Sequence, residues 1–158
     1  QENLNISFHI IIMAFWRTYY HLIWATKERH PLITPEREIN LYKYIFDKSD
    51  SLNCIIHAVG GVEDHIHLVS SIPPSLSIAN FVKNIKGSST HFLNKDSRLS
   101  QNTVSFSWQR GYGLLSLGSK QLEQAVNYVK NQKNHHTQET TIASLEKYND
   151  AEILNQSH

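Results

Sequence analysis

Two short apolar runs, Cys54 to Val59 and His65 to Ser71, lie on either side of Gly60-Gly61-Val62-Glu63-Asp64. A glycine-rich link of this length joins strands that fold back on one another, so the runs are predicted to pair as an antiparallel hairpin. The rest of the chain has to pack around that hairpin as one domain, because 158 residues close a single core but not two substantial lobes. With 40% hydrophobic and 18% charged residues, six Gly and four Pro, the composition excludes disorder and collagen-like repetition. Cys54 is the one cysteine and cannot form an internal disulfide. The longest apolar stretch near the start, Ile10 to Trp16, falls far short of the roughly 20 residues that span a bilayer. A reducing, cytoplasmic setting with no membrane partner is expected.

Residues Phe15 to Thr26 alternate, with Trp16, Thr18, Tyr20, Leu22 and Trp24 on one side and Arg17, Tyr19, His21 and Ile23 on the other, which predicts a strand. Thr34-Pro35-Glu36 supplies a helix cap, a proline at the first helical position and an acid in the first turn. Ile39, Tyr42, Ile45 and Phe46 follow at helical spacing, and this helix should end near Asp50. A second helix is predicted from near Ser77 to about Asn94, with Ile78, Phe81, Val82, Ile85 and Phe92 on one stripe. Asn94 to Thr103 reads as a loop, Phe106 to Trp108 as a short strand and Tyr112 to Leu117 as another. Gly118-Ser119 then opens a third helix that should run to about His136. The order β-α-β-β-α-β-α predicts an α+β fold, a ferredoxin-like or RRM-like sandwich in which an antiparallel sheet is backed by helices. Residues 1–14 are set apart as an extension, since Gln1 to Ile12 has no pattern tying it to a core and lacks the features of a secretory signal. The domain is expected over 15–137, and 138–158 as a helical or flexible tail.

The net charge of +1 conceals three blocks. Between residues 80 and 136, Lys83, Lys86, Lys95, Arg98, Arg110, Lys120, Lys130 and Lys133 face only Asp96 and Glu123, while the segments before and after are acidic on balance. A basic middle suits a phosphate-binding surface, although a solvated face has the same composition.

His65-Ile66-His67 is the sharpest local feature. On a strand, side chains two apart share a face, so both imidazoles point one way and Ile66 the other. Two histidines on a rigid sheet make half of a divalent-metal site; in a chain with ten histidines a chance pair is the competing reading. Tyr128-Val129-Lys130-Asn131-Gln132 is the second feature. At about 100° per residue, Leu122, Ala125, Val126 and Val129 cluster toward the core while Tyr128, Gln132 and His135 share a polar flank. A phenol and a carboxamide four residues apart can reach one point, the first as a nucleophile and the second as an oxygen ligand to a metal. The alternative is a tyrosine at the core edge beside a solvated glutamine. His135 and His136 are expected at the surface.

These parts occur together and in order. Val59-Gly60-Gly61-Val62-Glu63-Asp64-His65-Ile66-His67-Leu68, Lys86-Gly87-Ser88-Ser89, Trp108-Gln109-Arg110-Gly111-Tyr112-Gly113 and Tyr128-Val129-Lys130-Asn131-Gln132 with His135-His136 resemble the single-tyrosine HUH transposases of the TnpA type. Tyr20-His21-Leu22-Ile23-Trp24 with Thr26-Lys27 and Arg29 does so too, and the resemblance covers about Trp16 to His136. It implies an enzyme that cuts and rejoins single-stranded or hairpin DNA at the ends of an insertion sequence. By the same resemblance, Tyr128 would be the nucleophile, forming a 5′-phosphotyrosine link, and His65, His67 and Gln132 would hold Mg²⁺ or Mn²⁺. A homodimer with sites shared between subunits is also implied. Lys83, Lys86, Arg110 and Lys130 would bind DNA, with Trp108 and Tyr112 as candidate stacking surfaces for unpaired bases. Asp64 would either orient an imidazole or end the turn, and the turn is the preferred reading; His57 is treated as structural. Two rivals remain: a ferredoxin-like module that binds single-stranded DNA or RNA without cutting it, and a rolling-circle initiator or relaxase. The latter are usually larger proteins.

Overall fold

The computed structural model describes residues 15–96, 104–138 and 140–142. The predicted extension, most of the tail and Arg98 lie outside these residues. The first strand, β1, spans Tyr19–Ala25, starting four residues later than the alternation suggested. A short 3-10 turn at Lys27–Arg29 leads to α1, Pro35–Ser51. Thr34 caps α1 as predicted, its hydroxyl accepting from the Arg37 backbone N–H at 3.3 Å. The buried stripe of α1, however, is Arg37, Leu41, Ile45 and Ser49, and Ile39 stands 73% exposed. Arg37 tolerates burial because its guanidinium donates to the carbonyls of Leu32 and Val104; desolvation lowers its pKa from the usual range.

Strands β2, Ile55–Val62, and β3, His65–Ser71, form the predicted hairpin, but its link is only Glu63-Asp64. Gly60 and Gly61 are not turn residues: they pair across the ladder with His67 and Ile66. The ladder is irregular between Ile56 and Ala58, and the intervening His57 bonds Ser71 at 2.8 Å. Helix α2, Ile78–Lys95, is capped by Ser77, which accepts from the Asn80 N–H, and buries Phe81, Val82, Ile85, Ser89 and Leu93. The predicted strand at Phe106 to Trp108 reduces to a single bridge between Thr26 and Trp108. Strand β4 covers Gly113–Leu117. The predicted third helix is two: α3, Leu122–Lys130, and α4, Gln132–Thr137, separated at Asn131, whose backbone (φ −104, ψ 17) leaves the helical range.

The strands form one antiparallel sheet in the order β2-β3-β1-β4, which with this connectivity is the ferredoxin-like arrangement. Helices α1 and α2 cover one face, where Leu22, Trp24, Ile66 and Leu68 meet Leu41, Ile45, Phe81 and Ile85. Helix α3 covers part of the other, where Ala125, Tyr128 and Val129 pack on Ala58 and Val69. Central strand β3 is therefore buried along its whole length, as a strand covered on both faces must be.

Candidate active site

Strand periodicity puts His65 and His67 on the face that α3 covers, and Ile66 in the core opposite. Both imidazoles are fully buried, with ring centroids 5.1 Å apart. The approach of α3 depends on Gly60. A Cβ there would lie 2.0 Å from the Val129 carbonyl oxygen, so only glycine lets the helix sit this close to the sheet opposite His67.

That close approach places the helical residues on the histidines. The Tyr128 ring is 4% exposed, and its centroid is 6.0 Å from that of His67. One turn further than Gln132, His136 brings its ring within 4.9 Å of His65. Gln132, the first residue of α4, lies one helical turn before His136. It is 1% exposed, and neither atom of its amide has a hydrogen-bond partner among the described residues. The solvated-glutamine reading is thus excluded, while His135 and His136, expected at the surface, are half-buried. His135 stacks on Tyr128 at 4.7 Å and 24°, and the Tyr128 hydroxyl accepts a hydrogen bond from the Ile142 N–H at 3.0 Å.

Each imidazole is oriented from behind. Asp64 Oδ1 is 2.6 Å from His65 Nδ1, and Asp64 Oδ2 accepts from Arg29 Nε at 2.7 Å. Burial opposes ionisation of Asp64, but its interactions with His65 and Arg29 outweigh it, so its pKa falls below the usual carboxylate value. Asp64 both ends the turn and orients an imidazole, where the sequence favoured the turn alone. Arg29 is aimed by an unusual backbone, since it and Glu28 both adopt left-handed φ (57° and 55°), a conformation costing on the order of 1 kcal/mol or more per residue. On β1, His21 Nε2 lies 2.9 Å from His67 Nδ1 with the two rings stacked at 12°.

The donor set fits a divalent cation. A neutral imidazole held through Nδ1–H carries its lone pair on Nε2, the usual metal-binding form. Among the described residues no group of three His, Cys, Asp or Glu side chains is arranged to hold an ion. The buried Gln132 amide offers an oxygen whose desolvation, about 1–3 kcal/mol without a partner, a cation would offset.

The residues expected to meet DNA are scattered. Lys83, Arg110 and Lys130 are exposed. Lys86 is not free to reach a phosphate: its ammonium donates to the carbonyls of Gln109 and Gly111, both at 2.7 Å, and desolvation lowers its pKa. Trp108 packs edge-on against Trp24 and Phe106 and donates its indole N–H to Ser89, and Tyr112 also packs on the core, which leaves little ring face for stacking a base.

Residues 14–132 match the family described as transposase, IS200-like. The transposase of insertion sequence element IS200 from Salmonella typhimurium strain LT2 is 28% identical over 120 residues, 74% of this chain and 78% of that protein. The ISDra2 transposase TnpA of Deinococcus radiodurans is 27% identical over 115 residues, 72% of this chain and 82% of that protein. Among solved structures, a candidate transposase of Deinococcus radiodurans R1 superposes with a TM-score of 0.59 at 28% identity, covering 76% of this chain and 95% of that one. A REP-associated tyrosine transposase bound to a REP hairpin superposes with a TM-score of 0.58, covering 91% of this chain and 87% of that one. At 14% identity that likeness concerns the fold.

Proposed function

The chain belongs to the IS200-like transposase family, and from that premise we propose that it cuts and rejoins single-stranded or hairpin DNA at insertion-sequence ends, with Tyr128 as nucleophile. The observation that carries this reading is that Tyr128 of α3 and His136 of α4 pack against the His67 and His65 rings, with the buried, unpartnered Gln132 amide between them in the chain. The catalytic domain is proposed to occupy residues 15–137.

In the proposed reaction, Tyr128 Oη bonds to the scissile phosphorus as the bond to the 3′ oxygen breaks. The products are a 5′-phosphotyrosine and a free 3′-OH. One phosphodiester replaces another, so no ATP is consumed, and a 3′-OH from a new strand reverses the step. The phenol gives up its proton as the new bond forms, and the departing 3′ oxygen takes one up to become the free 3′-OH. His65, His67 and Gln132 would hold Mg²⁺ or Mn²⁺, which supplies Lewis-acid stabilisation of phosphate charge worth several kcal/mol. Asp64 and Arg29 keep the His65 ring in place, and Gly60 holds α3 against the sheet. The hydroxyl accepts the Ile142 N–H, a hydrogen bond that an incoming phosphate would compete with.

The DNA would approach over exposed Lys83, Arg110 and Lys130. Lys83→Ala is expected to lower the slope of log affinity against log salt by about 0.7, the share of one phosphate on a single strand. Lys86→Met should leave that slope unchanged and instead cost about 2 kcal/mol of stability by stranding two carbonyls. Salt titrations and thermal melts distinguish the two. A homodimer is proposed as well: β4 is an outer strand of the sheet, whereas β2, the other outer strand, is flanked by the Lys133–Glu38 ion pair (2.6 Å) that ties α4 to α1. Tyr128 already rests on His67 of its own chain, so pairing would serve assembly on DNA or exchange of α3 between copies.

The test is incubation with a labelled single strand carrying the element's end. A covalent product that survives denaturation and requires Mn²⁺ or Mg²⁺ is expected, and EDTA should remove it. DNA binding without any such product would make the chain a binding module.

A further inference from the structure

We propose that His21 is a positioning residue for the site: it holds the hydrogen of His67 on Nδ1 and thereby presents Nε2 as the ligand atom. The inference rests on the metal reading above and adds a residue to it. His21 sits on β1, two positions along from Ile23, the register partner of His67, and so shares the face of the histidine pair. It is 1% exposed. Its Nε2 is 2.9 Å from His67 Nδ1, a hydrogen-bond distance between two ring nitrogens, and one of them must carry the hydrogen.

The two possible assignments have opposite consequences. If His21 donated, a neutral His67 would carry its hydrogen on Nε2 and could not bind a cation there. If His67 donates, its Nδ1–H is engaged, its Nε2 keeps a lone pair and its ring is fixed in rotation. The second assignment also makes the two ligand histidines equivalent, since His65 Nδ1 faces the Asp64 carboxylate at 2.6 Å, an acceptor that demands a hydrogen on that nitrogen. One imidazole is thus oriented by a carboxylate and the other by a third imidazole. The stacking of His21 on His67, 5.1 Å between centroids, supplies a packing role that has to be separated from the hydrogen bond.

Nitrogen-15 NMR of the metal-free wild-type protein at about pH 8, where an unperturbed imidazole is neutral, reads the tautomer directly. His67 is expected with its hydrogen on Nδ1; a hydrogen on Nε2 overturns the proposal whatever the variants do. Mn²⁺ affinity, measured by calorimetry or electron paramagnetic resonance, then separates bonding from packing. His21→Phe keeps a stacked ring without an acceptor and is expected to weaken Mn²⁺ binding at least about tenfold, while His21→Gln, whose amide oxygen can take the place of Nε2, should stay within about threefold of wild type. Thermal melts show whether each variant is folded. A folded His21→Phe with wild-type affinity, or a folded His21→Gln as weak as the Phe variant, overturns the proposal. Wild-type protein that binds no Mn²⁺ while His67 carries Nδ1–H would instead sink the metal reading and leave the orientation of His67 by His21 standing.

Discussion

Replacing Tyr128 with Phe is expected to reduce covalent adduct formation and strand cleavage by at least about 10³-fold, because in the proposed reaction its hydroxyl forms the bond to phosphorus. The ring should remain where it is. It packs with Ala58, Val69, Ala125 and Val129 and stacks on His135, and none of these contacts needs the hydroxyl. The hydroxyl accepts the Ile142 N–H, a bond whose loss should change stability by only about 1 kcal/mol. DNA affinity should be close to wild type. The variant therefore separates chemistry from folding and binding, and a Tyr128→Phe protein that still forms adduct would assign the nucleophile elsewhere.

Gly60→Ala should be almost as damaging, by a different route. The added methyl would meet the Val129 carbonyl oxygen at 2.0 Å and its carbon at 3.0 Å, and these are backbone atoms of a helix rather than the end of a flexible side chain. Helix α3 has to rise from the sheet, carrying Tyr128 and, through Asn131, Gln132 with it. Such overpacking is expected to cost about 3 kcal/mol, near the upper end of what core insertions usually cost. In a domain of this size that lowers Tm by roughly 6–12 °C. Cleavage should fall by about 10²-fold or more, the usual consequence of displacing a reacting group by about 1 Å. Melting curves and single-turnover cleavage check both effects. An alanine variant with wild-type Tm and rate would mean that the close approach of α3 is not what sets the site.

The parts of the fold that were legible in the sequence are those governed by short-range chemistry. Thr34-Pro35 and Ser77 start helices because a hydroxyl satisfies a backbone N–H three residues on, a rule that needs no tertiary structure. The shared face of His65 and His67 follows from the two-residue period of a strand. What the sequence hid depends on distant partners. Ile39 and Phe46 looked like core residues, yet Arg37 and Ser49 took the buried stripe, the first because Leu32 and Val104 offer carbonyls to its guanidinium. Gly60 and Gly61 read as turn residues when the pressure on Gly60 comes from a helix some 70 positions later. The continuous third helix was extrapolated through Asn131, where the backbone turns aside and sets the buried Gln132 at the start of a new helix.

The site divides in the same way. Spacing and residue type marked Tyr128, Gln132 and the two histidines as candidates whose roles only the family resemblance assigned, and of the groups that orient the imidazoles only Asp64 could be named. For Asp64 the sequence left the turn and the imidazole as alternatives with the turn preferred, and the Arg29 guanidinium that fixes it is reached only through the left-handed backbone at Glu28 and Arg29. His21 becomes a neighbour of His67 through the pairing of β1 with β3, a strand order that no local pattern encodes. For Lys86 the sequence indicated a basic, helical position and the structure shows an ammonium committed to two loop carbonyls.

Mass spectrometry of the denatured adduct measures the central claim most directly. After the wild-type protein has reacted with its element's end in Mn²⁺, trypsin should release the Gln121–Lys130 peptide carrying a 5′-linked nucleotide on Tyr128, and the same peptide should be unmodified when EDTA is present. A nucleotide on any other residue, or the same yield of modified peptide without a divalent ion, would contradict it.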